Sequence, residues 1–205
     1  MPPRNDDTRR TQAERRTQSR HALLKSAAAG FAQHGYAGLS LESVATGAGY
    51  TRGALYHQFA SKEELALAVV HWIDENWQLE VGQAALVEPD PVSALLIMAR
   101  ETISYCRHEA ARALLTLRNE FRTGDHAIGA AIGQMRDQLM ERCIGLVEKG
   151  RADGTIPPGP PSDSTALAYL TVVDAVAIQL AGKTGHDVEL GERAVRGVLG
   201  IGNVG

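Results

Sequence analysis

The sequence is poor in the features that mark several functional classes. It has only two cysteines in 205 residues, Cys106 and Cys143, far apart and in no Cys-x-x-Cys pair, and no His-x-x-x-His pair accompanies them. Neither a structural zinc site nor a disulfide framework is expected from such a set; two reduced, partly buried thiols are, with a redox switch as the alternative reading. Aromatics make up 5% of the chain, so Leu, Ala, Val and Ile must build the core. Long apolar runs are absent as well. The most apolar stretch, Ala166 to Ala181, is broken by Asp174 and Gln179 and falls short of the ~20 residues of a membrane span. Met1 to Asp7 is polar and lacks the apolar segment of a secretory signal, and a cytoplasmic protein is expected. No alternating apolar run bounded by hairpin turns occurs, so no strand is expected, and no internal repeat is found. A nucleophile with its base, a carboxylate pair or a metal cluster at recognisable spacing is missing too, so no catalytic residue, metal or cofactor is assigned.

What is present is helical. Hydrophobic content of 44% and charged content of 22% suit a folded globular chain. Residues 1–11 are polar, basic and without periodicity, and are expected to form a disordered arm. From Gln12 a helical pattern sets in, with Leu24, Ala27, Ala28 and Phe31 on one face and Gly35 as its stop. Ser40 is an N-cap for a short second helix ended by Gly47 and Gly49, and Thr51 caps a third. Ser61-Lys62-Glu63-Glu64 is a capping box opening a long helix with Leu65, Val69, Trp72, Ile73 and Trp77 on its apolar side. Breaks at Glu88–Pro91, Thr123–Asp125 and Pro157–Pro161 delimit further helices at roughly 91–107, 110–122, 126–152, 162–182 and 188–200. The expected fold is all-α with about nine helices: a small head over 12–60 and a larger helical body over 61–205.

Charge is distributed unevenly. Net charge is −3, yet residues 1–65 hold nine Lys/Arg against six Asp/Glu, a balance of +3 that leaves −6 for the remainder. A basic N-terminal module on an acidic body fits a phosphate-binding head, and equally a solvated arginine-rich tail.

Residues 40–65 separate these readings. Two short helices meet at a tight turn, with small Ala45 at their crossing and Gly49 four residues later where a positive φ is useful. Val44, Ala48, Leu55 and Phe59 fall at core positions, which turns Thr51, Arg52, Ala54, Tyr56 and His57 outward. The longer string resembles the N-terminal domain of the TetR (tetracycline repressor) family of transcriptional regulators. That family's pattern is matched by Ala48-Gly49, Thr51, Gly53-Ala54-Leu55-Tyr56-His57-Gln58-Phe59 and Ser61-Lys62-Glu63-Glu64-Leu65. The upstream Ala29-Gly30-Phe31-Ala32-Gln33-His34-Gly35-Tyr36 is similar to the family's first helix, and the resemblance covers roughly residues 17–70. Two positions depart from it: Tyr50, where a smaller aliphatic residue is usual, and Gln58, where His is common.

The resemblance implies a helix-turn-helix regulator, more commonly a repressor than an activator, whose 12–60 unit binds a palindromic operator on double-stranded DNA and whose 61–205 unit forms a homodimer and takes a small-molecule effector that releases the DNA. By it, Ser40 meets a phosphate, Thr51, Arg52 and Ala54 face the major groove, Gly53 allows close approach, and Tyr56, His57 and Lys62 grip the backbone. Arg52 is either a guanine reader or a further phosphate contact. The 162–182 segment carries Leu167, Tyr169, Leu170, Val172, Val173, Val176, Ile178 and Leu180 on nearly all sides, so it is either a subunit interface or the central helix of a monomer. An effector cavity is sought among His71, Trp72, Met98, Tyr105, Phe121, Met135 and Asp174, residues that otherwise serve as core. An all-helical enzyme and a protein-binding adaptor are the competing classes. The adaptor lacks salt-sensitive DNA affinity, and the enzyme leaves the outward row of residues 51–62 without a purpose.

Overall fold

The computed structural model describes residues 12–122 and 126–202, and every regular element among them is helical. The basic arm expected over 1–11 lies outside the described residues. Helix α1 is Gln12–Gly38, α2 Leu41–Gly47, α3 Arg52–Tyr56 and α4 Lys62–Trp77. The α4 helix runs without a break through a π-helical turn, Gln78–Gly82, into the short α5, Gln83–Leu86. Helices α6 Pro91–Tyr105, α7 Glu109–Glu120, α8 Ala127–Ala152, α9 Ser162–Gln179 and α10 Asp187–Leu199 follow. With Lys62–Leu86 taken as one helix, the described residues hold nine.

Local chemistry sets the helix starts. The Ser40, Thr51 and Ser61 hydroxyls accept the N–H of Ser43, Ala54 and Glu64 at 3.1, 3.2 and 3.1 Å. Asp90 accepts from Ser93 N at 2.8 Å, with Pro91 in the first helical position. Each bond satisfies a donor that the helix itself leaves unpaired. The capping box differs from expectation in one detail: the Glu64 carboxylate returns to Ala60 N at 2.7 Å, one residue before the cap. Gly35 stops the regular part of α1 at φ 68, and the chain closes with a last turn to Gly38.

Helix α1 buries Leu23, Leu24, Ala27, Ala28 and Phe31 against α4 and α7. Helices α6, α8, α9 and α10 pack on one another around Tyr169, whose hydroxyl donates to Leu95 O at 2.7 Å. The loop before α10 is held by Asp187, a fully buried carboxylate. It accepts from Arg107 Nη2 at 2.6 Å and Nε at 3.2 Å, and from the backbone N–H of Gly182 and Val188, both at 2.9 Å. That loop ends α9 at Gln179, three residues earlier than the periodicity suggests.

Helix α9 is not buried all round within one protomer. Thr165, Ala166, Tyr169, Leu170, Val173 and Ala177 face inward, whereas Leu167 and Ile178 are 49% and 41% exposed. Among the described residues no helix is long and apolar enough to cross a membrane, and no three metal-ligating side chains come together.

Candidate functional site

Helices α2 and α3 meet at a turn built from Ala48, Gly49 and Tyr50. Gly49 adopts φ 76, and its N–H bonds Thr46 O at 3.0 Å, while Tyr50 N bonds Ala45 O at 2.8 Å. A side chain at Gly49 has free space but an unfavourable backbone, so the φ alone accounts for glycine here. Beneath the turn, Val44, Ala45, Leu55 and Phe59 are at most 1% exposed and interlock with Leu23 and Ala27 of α1. Ser26 Oγ donates to Val44 O at 2.9 Å, pinning α2 to α1.

This core fixes what faces outward. Ser40, Thr51, Arg52, Gly53, Tyr56 and His57 are all exposed, and Ala54 is half-buried behind them. The Arg52 guanidinium folds over the Tyr56 ring, 5.5 Å from its centre, with Nη2 3.4 Å from the hydroxyl. Gly53 has no side-chain neighbour within contact except the distant Thr51 hydroxyl, so its backbone is open to an approaching surface. The structure thus brings together the residues singled out around the third helix. Lys62 sits at their edge: Nζ donates to Ala37 O at 3.3 Å and stands 4.9 Å from the centre of the Tyr36 ring. It ties the start of α4 to the end of α1, and two of its three N–H donors are left over for another acceptor.

Gln58 and Phe59 join α3 to α1. Gln58 Nε2 donates to Ser19 Oγ at 3.1 Å, and the Arg20 guanidinium lies over the Phe59 ring at 4.6 Å. Nothing in the sequence marks either contact from the α1 side, because Ser19 and Arg20 lie on a polar stretch with no motif around them.

A second site lies among α4, α6, α7, α8 and α9, a cavity of about 140 Å³. Its wall is mainly apolar, with Trp77, Leu114, Leu115, Met135, Leu139 and Leu170. Its polar groups include Arg118, Arg136 and Asp174, drawn from three helices. The Nη1 atoms of Arg118 and Arg136 lie 3.0 and 2.9 Å from the same Asp174 oxygen, Oδ2. Trp77 Nε1 donates to Thr102 Oγ1 at 3.2 Å, and the Tyr105 hydroxyl donates to Ile73 O at 3.2 Å, so both rings are fixed in the wall.

Of the residues considered for an effector, Tyr105, Met135 and Asp174 line this cavity. The other four lie away from it. His71 is exposed, Trp72 packs edge-on against His21 of α1 at 5.6 Å, and Met98 is buried in the core. Phe121 packs edge-on against Tyr36 at 4.9 Å. Cys106 reaches the cavity wall and Cys143 is buried. Burial pushes the two thiols up to about 11 and about 12, which keeps both protonated and unreactive near neutral pH.

Residues 23–69 match the family model described as bacterial regulatory proteins, tetR family. The chain is 34% identical over 82 residues to the HTH-type transcriptional repressor AcnR of Corynebacterium glutamicum, covering 36% of this chain and 44% of that protein. It is 42% identical over 68 residues to the HTH-type transcriptional regulator CymR of Pseudomonas putida, covering 33% of this chain and 34% of that one. The matched part thus spans less than half the length of these curated relatives. The crystal structure of AibR in complex with isovaleryl coenzyme A and operator DNA superposes with a TM-score of 0.74 at 19% identity, covering 89% of this chain and 96% of that one. At that identity the likeness shows a shared fold.

Proposed function

We propose that this chain, which belongs to the tetR family of bacterial regulatory proteins through residues 23–69, is a transcriptional repressor that binds a palindromic operator as a homodimer. The observation that carries the reading is the α3 surface. An N-capped five-residue helix stands on a fully buried core and presents Thr51, Arg52, Tyr56 and His57 to solvent, with open backbone at Gly53 between them.

In this reading residues 12–60 are the DNA-binding unit and the chain from 61 onward dimerises and senses. The start of α3 enters the major groove. The helix N-termini at Ser40 and Thr51 offer backbone N–H groups to phosphates, and Tyr56, His57 and the spare donors of Lys62 flank them. The exposed Leu167 and Ile178 lie on one stripe of α9, with Thr171 and Ala175 between them, and a second copy of the chain covers that stripe. The cavity below α7 takes a small-molecule effector. It releases DNA if it binds the DNA-incompetent state more tightly, since a ligand of equal affinity for both states shifts nothing.

This reading is favoured over an enzyme and over a protein adaptor because neither accounts for the exposed row of Thr51, Arg52, Tyr56 and His57 on α3. One titration tests it. Purified protein is mixed with the DNA flanking its own gene and with random DNA at several salt concentrations. A repressor shows specific, steeply salt-dependent binding to the flanking DNA. An adaptor or an enzyme shows neither.

A further inference from the structure

We infer that the cavity takes a small monocarboxylate with an apolar body, its carboxylate held by Arg118 and Arg136. The inference rests on the effector reading above and names the class of ligand for that site.

Three observations on the cavity carry it. The first is the arrangement of charge. Arg118 and Arg136 approach from α7 and α8 and place one nitrogen each on a single oxygen of Asp174. A guanidinium has five N–H donors and stays charged, so each fork retains donors after its bond to Asp174. The triad as a whole carries a net charge of +1. Asp174 is already met by two cations and has little to offer a third, whereas the forks can accept another anion. A carboxylate matches the planar geometry of a guanidinium fork.

The second is accessibility. The side chains of Arg118, Arg136 and Asp174 are 28%, 39% and 32% exposed, so the triad is neither sealed in the core nor free in solvent. A charge pair at that depth is screened less than on the surface, and an arriving carboxylate needs to shed only part of its water.

The third is size and apolarity. A cavity of about 140 Å³ walled by Trp77, Leu114, Met135 and Leu170 is close to the ~150 Å³ at which an engineered apolar cavity admits one benzene ring. The part of the ligand that the wall encloses is therefore about the size of a phenyl ring or a short alkyl chain. Asp74 of α4 is the other acid on the wall, and an amine ligand would seek it.

The test is calorimetric titration of the full chain with phenylacetate and hexanoate, with 2-phenylethanol and hexan-1-ol as neutral counterparts, and with 2-phenylethylamine. The acids are expected to bind about tenfold or more tighter than the matching alcohols, the gain of charge-assisted bonds. Arg118→Met and Arg136→Met should bring the acids down to the level of the alcohols. Asp174→Asn removes the internal competitor and should tighten the acids several-fold. Equal binding of acid and alcohol, tighter binding of the amine, or no binding of any probe overturns the inference. So does binding of isovaleryl coenzyme A without binding of the free acids. The comparison of probes on the unaltered chain needs no variant to fold. DNA binding by the same preparation separates this inference from the regulator reading. A chain that binds its operator but no acid loses only the ligand class, and one that binds the acids but no DNA loses only the regulator.

Discussion

The carboxylate of Glu120, at the end of α7, accepts the backbone N–H of Tyr36 at 2.8 Å, across 84 positions of sequence. Gly35 makes this possible: a Cβ built there would collide with the Glu120 carboxylate, and its φ of 68 is one that L side chains rarely adopt. Phe121 presses edge-on against the Tyr36 ring one residue later. Two positions earlier, Arg118 reaches into the cavity. The last turn of α7 therefore touches the cavity on one side and the end of α1 on the other. Gly35→Ala should destabilise the chain by about 1–2 kcal/mol from backbone strain alone, and more from the lost bond. Glu120→Ala should cost about 0.5–1.5 kcal/mol, since the bond it removes is open to solvent. Urea unfolding followed by circular dichroism measures both, and a midpoint unchanged in either variant contradicts this account of the junction.

The α9 stripe gives a second prediction. Leu167→Glu together with Ile178→Glu should convert a dimer to a folded monomer, because both side chains point away from the protomer's own core. Val173→Glu should unfold the chain instead, since Val173 is buried within one protomer. Light scattering at micromolar concentration with parallel circular dichroism distinguishes the two. A double variant that remains a dimer removes α9 from the interface.

Acid should loosen the loop before α10. The Arg107 guanidinium, followed by the Gly182 N–H, holds the Asp187 carboxyl down to about 2. An unfolded Asp titrates at about 3.9. Its contribution to stability is thus complete above about pH 4 and lost as pH falls toward 2, when the folded carboxylate takes up its proton. Asp187→Asn should lower stability at pH 7 and flatten the stability profile between pH 4 and 2. An unchanged profile in the variant shows that other carboxylates govern the acid transition.

Local signals in the sequence carried most of the fold. Ser40, Thr51 and Ser61 each announce a helix start through their own chemistry, and the caps stand where those residues place them. The turn at Gly49 and the outward row on α3 follow from the same short-range spacing. The π-helical turn Gln78–Gly82 left no such mark, because its residues read as ordinary helix formers. The cavity was legible only in part. Tyr105, Met135 and Asp174 stand out by residue type, but a large apolar side chain at helical spacing serves a core as readily as a wall. Met98 and Phe121 went to the core and to Tyr36 for that reason. Nothing in the sequence marks Arg118 and Arg136, because arginines on helices usually face solvent, and only the packing of three helices brings them to one Asp174 oxygen.

The central claim is that α3 reads DNA, and it is tested most directly by comparing Arg52→Ala and Tyr56→Phe with the unaltered chain. Binding is measured on an operator selected from random-sequence DNA and on random DNA, across a range of salt. Both side chains are exposed and lie off the Val44–Leu55–Phe59 core, so helix content should be unchanged. Tyr56→Phe should weaken both DNAs alike, by about 0.5–1.5 kcal/mol for one lost hydroxyl bond. Arg52→Ala should narrow the gap between operator and random DNA by about 1–3 kcal/mol per half-site, as loss of a bidentate guanine contact requires. Folded variants that bind operator and random DNA just as the unaltered chain does would contradict the assignment of α3 as the recognition helix.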